Sequence, residues 1–240
     1  MTDLEAIEIR KSRRGYLDTP INPKSIERLK SILEDCNQKS GLSLQWIEDG
    51  REAFSGFSIG YGMFSGVRSY IALVGKSSDA YRNEKIGYYG EILVLEATKL
   101  GLGTCWVGGT FRKSHCPCTI GSDETLVGVI TVGNVAEKEG LKERTIYRLA
   151  HRGTKTLEQL YTCDQSVPDW FTSGMRAVQK APSAVNRQPV HFLYQNGVIT
   201  AAVHNTSHLQ LIDLGIAKLH FELGAGRGKF ELGNEAKWLA

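Results

Sequence analysis

Ala181-Pro182-Ser183-Ala184-Val185-Asn186-Arg187-Gln188-Pro189 is a polar loop with a proline near each end. A hydroxyl and an amide side chain here can donate and accept together, which suits the edge of a planar heterocycle presenting a carbonyl and a ring nitrogen. The plain alternative is a helix-to-strand connection made of ordinary turn residues. Outward from the loop, Pro168 to Lys180 has helical spacing on the upstream side. Downstream, His191 to Gln195 and Val198 to Val203 flank Asn196-Gly197, the strongest short hairpin signal available. Leu209 to Leu223 is helical again, with Leu211, Leu214, Ala217, Leu219 and Phe221 on its apolar faces. Asp164-Gln165-Ser166-Val167-Pro168 reads as a linker ahead of this segment, and the basic stretch Arg144 to Leu160 as weakly helical.

Nearer the amino terminus, Asn22 is placed to cap a helix that has Pro23 at its first position, and Ile26, Leu29, Ile32 and Leu33 continue it. Leu42 to Ile47 alternates like a strand. The stretch Phe54 to Gly66 interleaves glycines with aromatics, a composition of irregular loops near ligands, and Phe57, Tyr61 and Phe64 are its candidate wall residues. Tyr70-Ile71-Ala72-Leu73-Val74 is the unbroken apolar run of a buried strand. A helix is expected from Tyr88 to the stop at Gly101-Leu102-Gly103, and a strand from Leu126 to Val132. Glycines recur in Tyr88-Tyr89-Gly90-Glu91 and in Leu211-Ile212-Asp213-Leu214-Gly215, a faint internal repeat for which coincidence is the simpler reading when it stands alone.

With 240 residues, 41% of them hydrophobic, the chain has enough apolar material for a sizeable core. Its 29 basic and 26 acidic residues are interspersed and leave a formal charge of +3, so neither nucleic acid nor a membrane surface is called for as a partner. No stretch approaches the roughly 20 apolar residues of a membrane span, and no leader-like apolar run follows Met1, so a cytoplasmic location is expected. Five cysteines are an odd number without framework spacing and read as reduced thiols. His115-Cys116-Pro117-Cys118 lacks the spacing of a zinc site, and no metal is expected.

The charge that is not interspersed lies in Arg10-Lys11-Ser12-Arg13-Arg14. In extended backbone Arg10, Ser12 and Arg14 project to one side, offering two guanidinium forks and a hydroxyl to a single phosphate. A solvated basic turn is the alternative. Gly101-Leu102-Gly103-Thr104-Cys105-Trp106-Val107-Gly108-Gly109 ends a helix, enters an apolar segment and closes on two glycines, where a flat ring can approach bare backbone. No Gly-x-Gly-x-x-Gly lies between a strand and a helix and no Walker lysine is present, which argues against Rossmann or P-loop nucleotide binding. None of the six histidines has a local hydrolase arrangement.

Ile7-Glu8-Ile9-Arg10-Lys11-Ser12-Arg13-Arg14-Gly15-Tyr16, Gly101 to Trp106, and Gly128-Val129-Ile130-Thr131-Val132-Gly133 with Ala136-Glu137-Lys138 resemble the nitroreductase family in matching order. Ala181 to Pro189 resembles it too, but displaced. In most of the family that loop follows the first helical hairpin, near Ser40 to Gln45 here, and reaches the flavin of a partner subunit. The resemblance therefore implies a single-chain pseudo-dimer: an α+β fold with a central, mostly antiparallel sheet flanked by helices, whose diverged second half imitates the partner. Residues 1–165 would form the nitroreductase-like half with the phosphate site, and 166–240 the shorter repeat carrying the loop.

The same resemblance implies FMN as cofactor and NADH or NADPH as electron donor. Arg10, Ser12 and Arg14 would hold the phosphate, with Arg152 and Lys155 as looser basic contacts. Gly108 and Gly109 would offer backbone to the ring, Ser183 and Asn186 would contact the isoalloxazine, and Arg68 its pyrimidine edge. The implied activity is hydride transfer to a nitroaromatic, quinone or similar small-molecule acceptor, by a monomer in preference to a homodimer. Rivals are a related dehalogenase or flavin-processing enzyme, a flavin-binding or regulatory module without turnover, and, least favoured, a basic nucleic-acid binder.

Overall fold

The structure is a computed structural model and describes residues 1–55, 64–140, 144–145 and 153–239. The chain forms two compact units, neither of them a continuous stretch: one comprises Met1–Glu8, Asn83–Ile92 and Ala150–Ala240, the other Ile9–Arg82 and Leu93–Leu149.

The second of these is built on a four-stranded antiparallel sheet, β1 (Gln45–Ile47), β2 (Ser69–Lys76), β3 (Gly103–Val107) and β4 (Glu124–Gly133), in the order β1-β2-β4-β3. Seven of the eight β2 residues are buried, as the unbroken apolar run requires of a strand covered on both faces. The expected strand at Leu42 is shorter, Gln45–Ile47, because Asn37 takes up Leu44 locally: its amide accepts the Leu44 N–H at 2.8 Å and donates to the Leu44 carbonyl at 3.0 Å. Helix α1, Asp3–Ile9, belongs to the first unit except for its last residue. Helix α2, Pro23–Ser40, starts where Asn22 Oδ1 accepts the Lys24 N–H at 2.9 Å and ends on left-handed Gly41 at φ 71°. Phe54, Phe64, Tyr70 and Phe111 form an aromatic cluster in this unit's core, with the Phe54 and Phe64 rings 5.5 Å apart.

Helix α3 covers Arg82–Lys99, so it starts six residues before the expected Tyr88. Arg82-Asn83-Glu84-Lys85 reads as polar surface, yet Glu84 is 3% exposed because it meets Lys218. Asp79 starts the turn by accepting the Tyr81 N–H at 2.8 Å.

The other unit carries β5 (Tyr161–Cys163), β6 (His191–Gln195) and β7 (Val198–Ala202), with β5 parallel to β6 and β6 antiparallel to β7. Asn196 and Gly197 both have positive φ, 51° and 76°, as the right-handed twist of a two-residue hairpin demands. Helices α4 (Asp169–Lys180) and α5 (His208–Ala225) pack around Phe171, Phe192 and Phe221, and a small β8–β9 hairpin (Lys229–Phe230, Trp238–Leu239) closes the cluster. Of the weak helix expected from Arg144 to Leu160, residues 144–145 are helical, but residues 153–156 are not, a single 3₁₀ turn covers Leu157–Gln159, and β5 follows. A three-residue strand is too short for its alternation to be read.

Within this unit, α3 and α5 cross backbone to backbone. A Cβ at Gly87 would collide with the Ile212 carbonyl, and one at Gly215 with the Glu84 carbonyl. Ile212 precedes Gly215 by three residues and Glu84 precedes Gly87 by three, so the contact is reciprocal. Polar pairs surround it: Lys218 Nζ reaches Glu84 Oε1 at 2.5 Å, Tyr88 donates to Glu222, and His220 Nε2 lies 3.0 Å from Glu91 Oε1. His220 Nδ1 sits 3.0 Å from the Ala177 carbonyl, which can only accept, so that nitrogen carries a proton. Burial lowers the Lys218 pKa and raises that of Glu222, since both charges are removed from water.

Candidate functional site

The basic cluster is extended, as its alternation suggested. Ser12 bridges Thr104 in parallel with β3, the Arg13 N–H donates to the Thr104 carbonyl at 2.8 Å, and Tyr16 and Ser65 exchange backbone bonds with their neighbours farther along. Arg13 turns to the Ala136 carbonyl at 3.0 Å and lies against Gly103, where an added Cβ would crowd it. Alternation sends Arg10, Ser12 and Arg14 to the other side. Arg10 and Arg14 are half-buried with their Nε atoms fully covered, unlike Lys11, whose side chain is 63% exposed and pairs with Glu139 at 3.4 Å. The Tyr16 hydroxyl pins the segment from beneath, 2.8 Å from the Arg13 carbonyl and 2.6 Å from Thr131 Oγ1.

Gly108 and Gly109 follow β3 and are exposed, and a Cβ at Gly109 would meet nothing within 4 Å. Ser12 lies beside Thr104, so the glycine pair stands four residues farther along the strand, roughly 13 Å away. Arg68 is exposed just before β2, and the register of β2, β4 and β3 puts it at the end of the sheet where β3 begins, opposite the end that carries Gly108-Gly109. Phe64 is packed into the core cluster, while Phe57 and Tyr61 lie outside the described residues, as does Arg152.

In the other unit, Lys155, Ser183 and Asn186 share one neighbourhood. Three non-glycine residues of the loop have positive φ: Val185 at 46°, Asn186 at 51° and Gln188 at 48°. Asparagine tolerates this region, but for a β-branched residue such as Val185 it is a costly outlier. Several bonds hold the loop there. Ser183 Oγ accepts the Gln188 N–H at 2.9 Å, and Asp213 Oδ1 accepts the Ala184 N–H at 3.0 Å. Buried Gln188 accepts the Lys155 N–H through Oε1 at 3.1 Å, while Lys155 Nζ donates to the Gln188 carbonyl at 2.8 Å. The Gln179 amide in turn donates to the Lys155 carbonyl at 2.8 Å. Lys155, expected near a phosphate, is thus the strut of this loop.

Asp213 is 5% exposed and lines a pocket of about 20 Å³, room for one water, together with Leu160, Pro182, Ser183, Gln188 and Ala217. Burial pushes its carboxyl up to about 7, against lowering contributions from the Ala184 N–H and the Arg187 charge. Sequence reasoning passed over Asp213, Gln188 and Gln179. A lone acid among the apolar positions of Leu211 to Phe221 was the available signal for the first; the other two carry no mark that separates them from surface amides.

The family described as "Putative TM nitroreductase" matches residues 3–225. A putative nitroreductase from Thermotoga maritima superposes with a TM-score of 0.61 at 22% identity, covering 99% of this chain and 92% of its own. An FMN-dependent nitroreductase from Clostridium difficile and a nitroreductase with bound FMN from Bacteroides fragilis align over 62% and 59% of this chain and 98% and 92% of theirs, at 15% and 16% identity and TM-scores of 0.46 and 0.41. No curated protein matches the chain. With the family matched over nearly its whole length and the antiparallel sheet and flanking helices of a nitroreductase structure, the chain belongs to the nitroreductase family.

Proposed function

We propose that this oxidoreductase is FMN-dependent, takes electrons from NADH or NADPH, and passes hydride to a nitroaromatic, quinone or similar small acceptor. The carrying observation is the pairing of Ser12 with Thr104, which lays a row of Arg10, Ser12 and Arg14 along the edge strand whose far end is the open Gly108-Gly109 backbone. That edge suits an elongated ligand with an anionic end and a flat end, and among the described residues nothing lies within 4 Å of a Cβ built at Gly109. Two guanidinium groups and a hydroxyl supply charge-assisted bonds to a terminal phosphate, each worth about 1.5–3 kcal/mol. When bound, FMN supplies the two-electron chemistry, and the protein's part is to bind, orient and shield.

In this reading Arg10, Ser12 and Arg14 hold the phosphate, Gly108 and Gly109 offer backbone to the ring, and Ser183 and Asn186 contact the isoalloxazine. Arg68, Arg152 and Lys155 remain accessory assignments; Lys155 serves through its hold on Gln188. The reciprocal Gly87–Ile212 and Gly215–Glu84 contacts support the further proposal that residues 166–240 are a diverged repeat acting in place of a partner subunit, because a two-fold-like contact between unlike segments is what a fused dimer leaves behind. A monomer and a cytoplasmic location belong to the same proposal.

The test is an absorbance spectrum of the purified protein after incubation with FMN and desalting, followed by anaerobic NADH and NADPH. A retained flavin that bleaches supports the reading. A retained flavin that neither donor reduces makes the protein a flavin-binding module, and no retained flavin overturns the assignment.

A further inference from the structure

Asp213 belongs to none of the groups assigned so far. It is a carboxylate, 5% exposed, in the middle of a helix whose neighbouring positions are apolar. A buried carboxylate is expensive unless something is gained by it. Among the described residues its one hydrogen-bond donor is the Ala184 N–H, at 3.0 Å, on the first residue of the short turn Ala184–Asn186. The next two residues, Val185 and Asn186, are the ones in left-handed backbone. Val185 is 54% exposed, so packing on its side chain does not force it into that region. Side-chain hydrogen bonds act on both ends of the turn. Ser183 Oγ and the Gln188 N–H close the downstream end, and Asp213 fixes the upstream end. Asp213 also sits between Ile212, whose carbonyl meets Gly87, and Gly215, which meets the Glu84 carbonyl, so the helix that carries it is locked at that point. A fixed helix, a short side chain and one hydrogen bond to a backbone amide leave the turn little freedom.

We infer that Asp213 is a positioning residue: through the Ala184 N–H it presets the left-handed turn and thereby aims the Asn186 amide at the ligand. This rests on the proposal that Asn186 contacts the flavin ring, and it adds a residue that touches neither ring nor phosphate. Its expected signature differs from that of a phosphate ligand: losing it alters how the ring is held and leaves the anionic end attached.

Asp213→Leu keeps the branching at Cγ and deletes the acceptor, Asp213→Asn keeps an acceptor oxygen without the charge, and Ala184→Pro deletes the donor without touching the buried helix. Each protein is compared with the parent by FMN titration, by visible spectrum and midpoint potential of the bound flavin, and by amide hydrogen exchange over residues 183–188 in the flavin-free protein. For Asp213→Leu and Ala184→Pro we expect exchange over the turn to rise about tenfold or more, FMN to bind roughly tenfold more weakly, and the spectrum and potential to shift, with Asp213→Asn restoring most of each. Ala184→Pro carries the test alone if Asp213→Leu does not fold. Parent-like exchange and a parent-like spectrum in a folded variant overturn the positioning role. A parent that takes up no FMN overturns the functional reading instead, and the exchange measurement then decides by itself whether Asp213 sets the turn.

Discussion

Two segments carry the residues assigned to the flavin, and they are held in opposite ways. Arg10 to Arg14 is fixed by its main chain: Ser12 bridges Thr104, and Arg13, Tyr16 and Leu17 donate N–H groups to Thr104, Ser65 and Asn134. The side chains of Arg10, Ser12 and Arg14 take no part in that backbone pairing. The turn Ala184–Asn186 has two main-chain bonds of its own, Asn186 N–H to the Ser183 carbonyl at 3.0 Å and Arg187 N–H to the Ala184 carbonyl at 3.1 Å, but its ends are tied by side chains, Asp213 to the Ala184 N–H and Ser183 to the Gln188 N–H, and its backbone is strained at Val185. Strain of about 1–3 kcal/mol at such a residue persists only where the surroundings over-determine it. Strand pairing therefore gives a segment that tolerates substitution, and side-chain anchoring one in which a single buried residue decides the geometry.

The largest effect should come from the platform beneath the turn. Gly215→Leu places a side chain against the Glu84 carbonyl at the α3–α5 crossing and should cost about 3 kcal/mol or more in denaturant unfolding, with the turn losing order at the same time. An unchanged midpoint would mean the crossing is not as close as described. On the other segment, Arg10→Ala with Arg14→Ala should weaken FMN binding by about 10- to 100-fold or more while leaving the unfolding midpoint within about 1 kcal/mol, because the strand pairing stays intact. A large loss of stability in that double variant would break the contrast drawn here.

The next effect separates the two regions by pH. Burial raises the folded-state pKa of Asp213 to about 7, from the usual carboxylate value near 4. The folded state then holds the proton more tightly than the unfolded chain, so the contribution favours folding below about pH 4 and is lost as pH rises towards 7. Arg187 is the charge that opposes the shift, and the pocket wall brings no other titratable side chain to it. The difference in stability between Asp213→Asn and the parent should therefore grow across pH 4 to 7, by on the order of 4 kcal/mol. A difference independent of pH would show Asp213 charged throughout. The smallest effect is local: Val185→Asn should stabilise the protein by up to about 1 kcal/mol by relieving the left-handed valine, whereas Asn186→Ala should shift the flavin spectrum or potential with little loss of phosphate anchoring. A Val185→Asn protein less stable than the parent would place the strain elsewhere.

Much of this was legible in the chain. The Tyr70 to Val74 run, the Asn22-Pro23 helix start, the Asn196-Gly197 turn and the alternation of Arg10, Ser12 and Arg14 are each set by local chemistry: a period, a cap, a positive φ or an extended backbone. Where reading failed, a distant partner had changed the meaning of a residue. Glu84 looks like solvent-facing polarity and hid the start of α3, because Lys218 is far away in sequence. The role of Lys155 in bracing Gln188 was likewise invisible, because Gln188 lies 33 residues away. The three-residue strand β5 forms only because β6 offers it a ladder.

The sequence by itself determined most of the longer elements, the α+β class, the family resemblance and the polar loop with its amide, since these follow from periodicity, caps and turn residues acting within a few positions of one another. Tertiary structure alone decided that Asp213, 29 residues from Ala184, accepts the Ala184 N–H within hydrogen-bond distance, that Gly87 and Gly215 are glycine because carbonyls of a crossing helix lie against them, and that Val185 endures a left-handed backbone. Burial sets the cost of a charge and fixes which acceptor an amide can find, and burial is a property of the packed chain that no short window of residues contains.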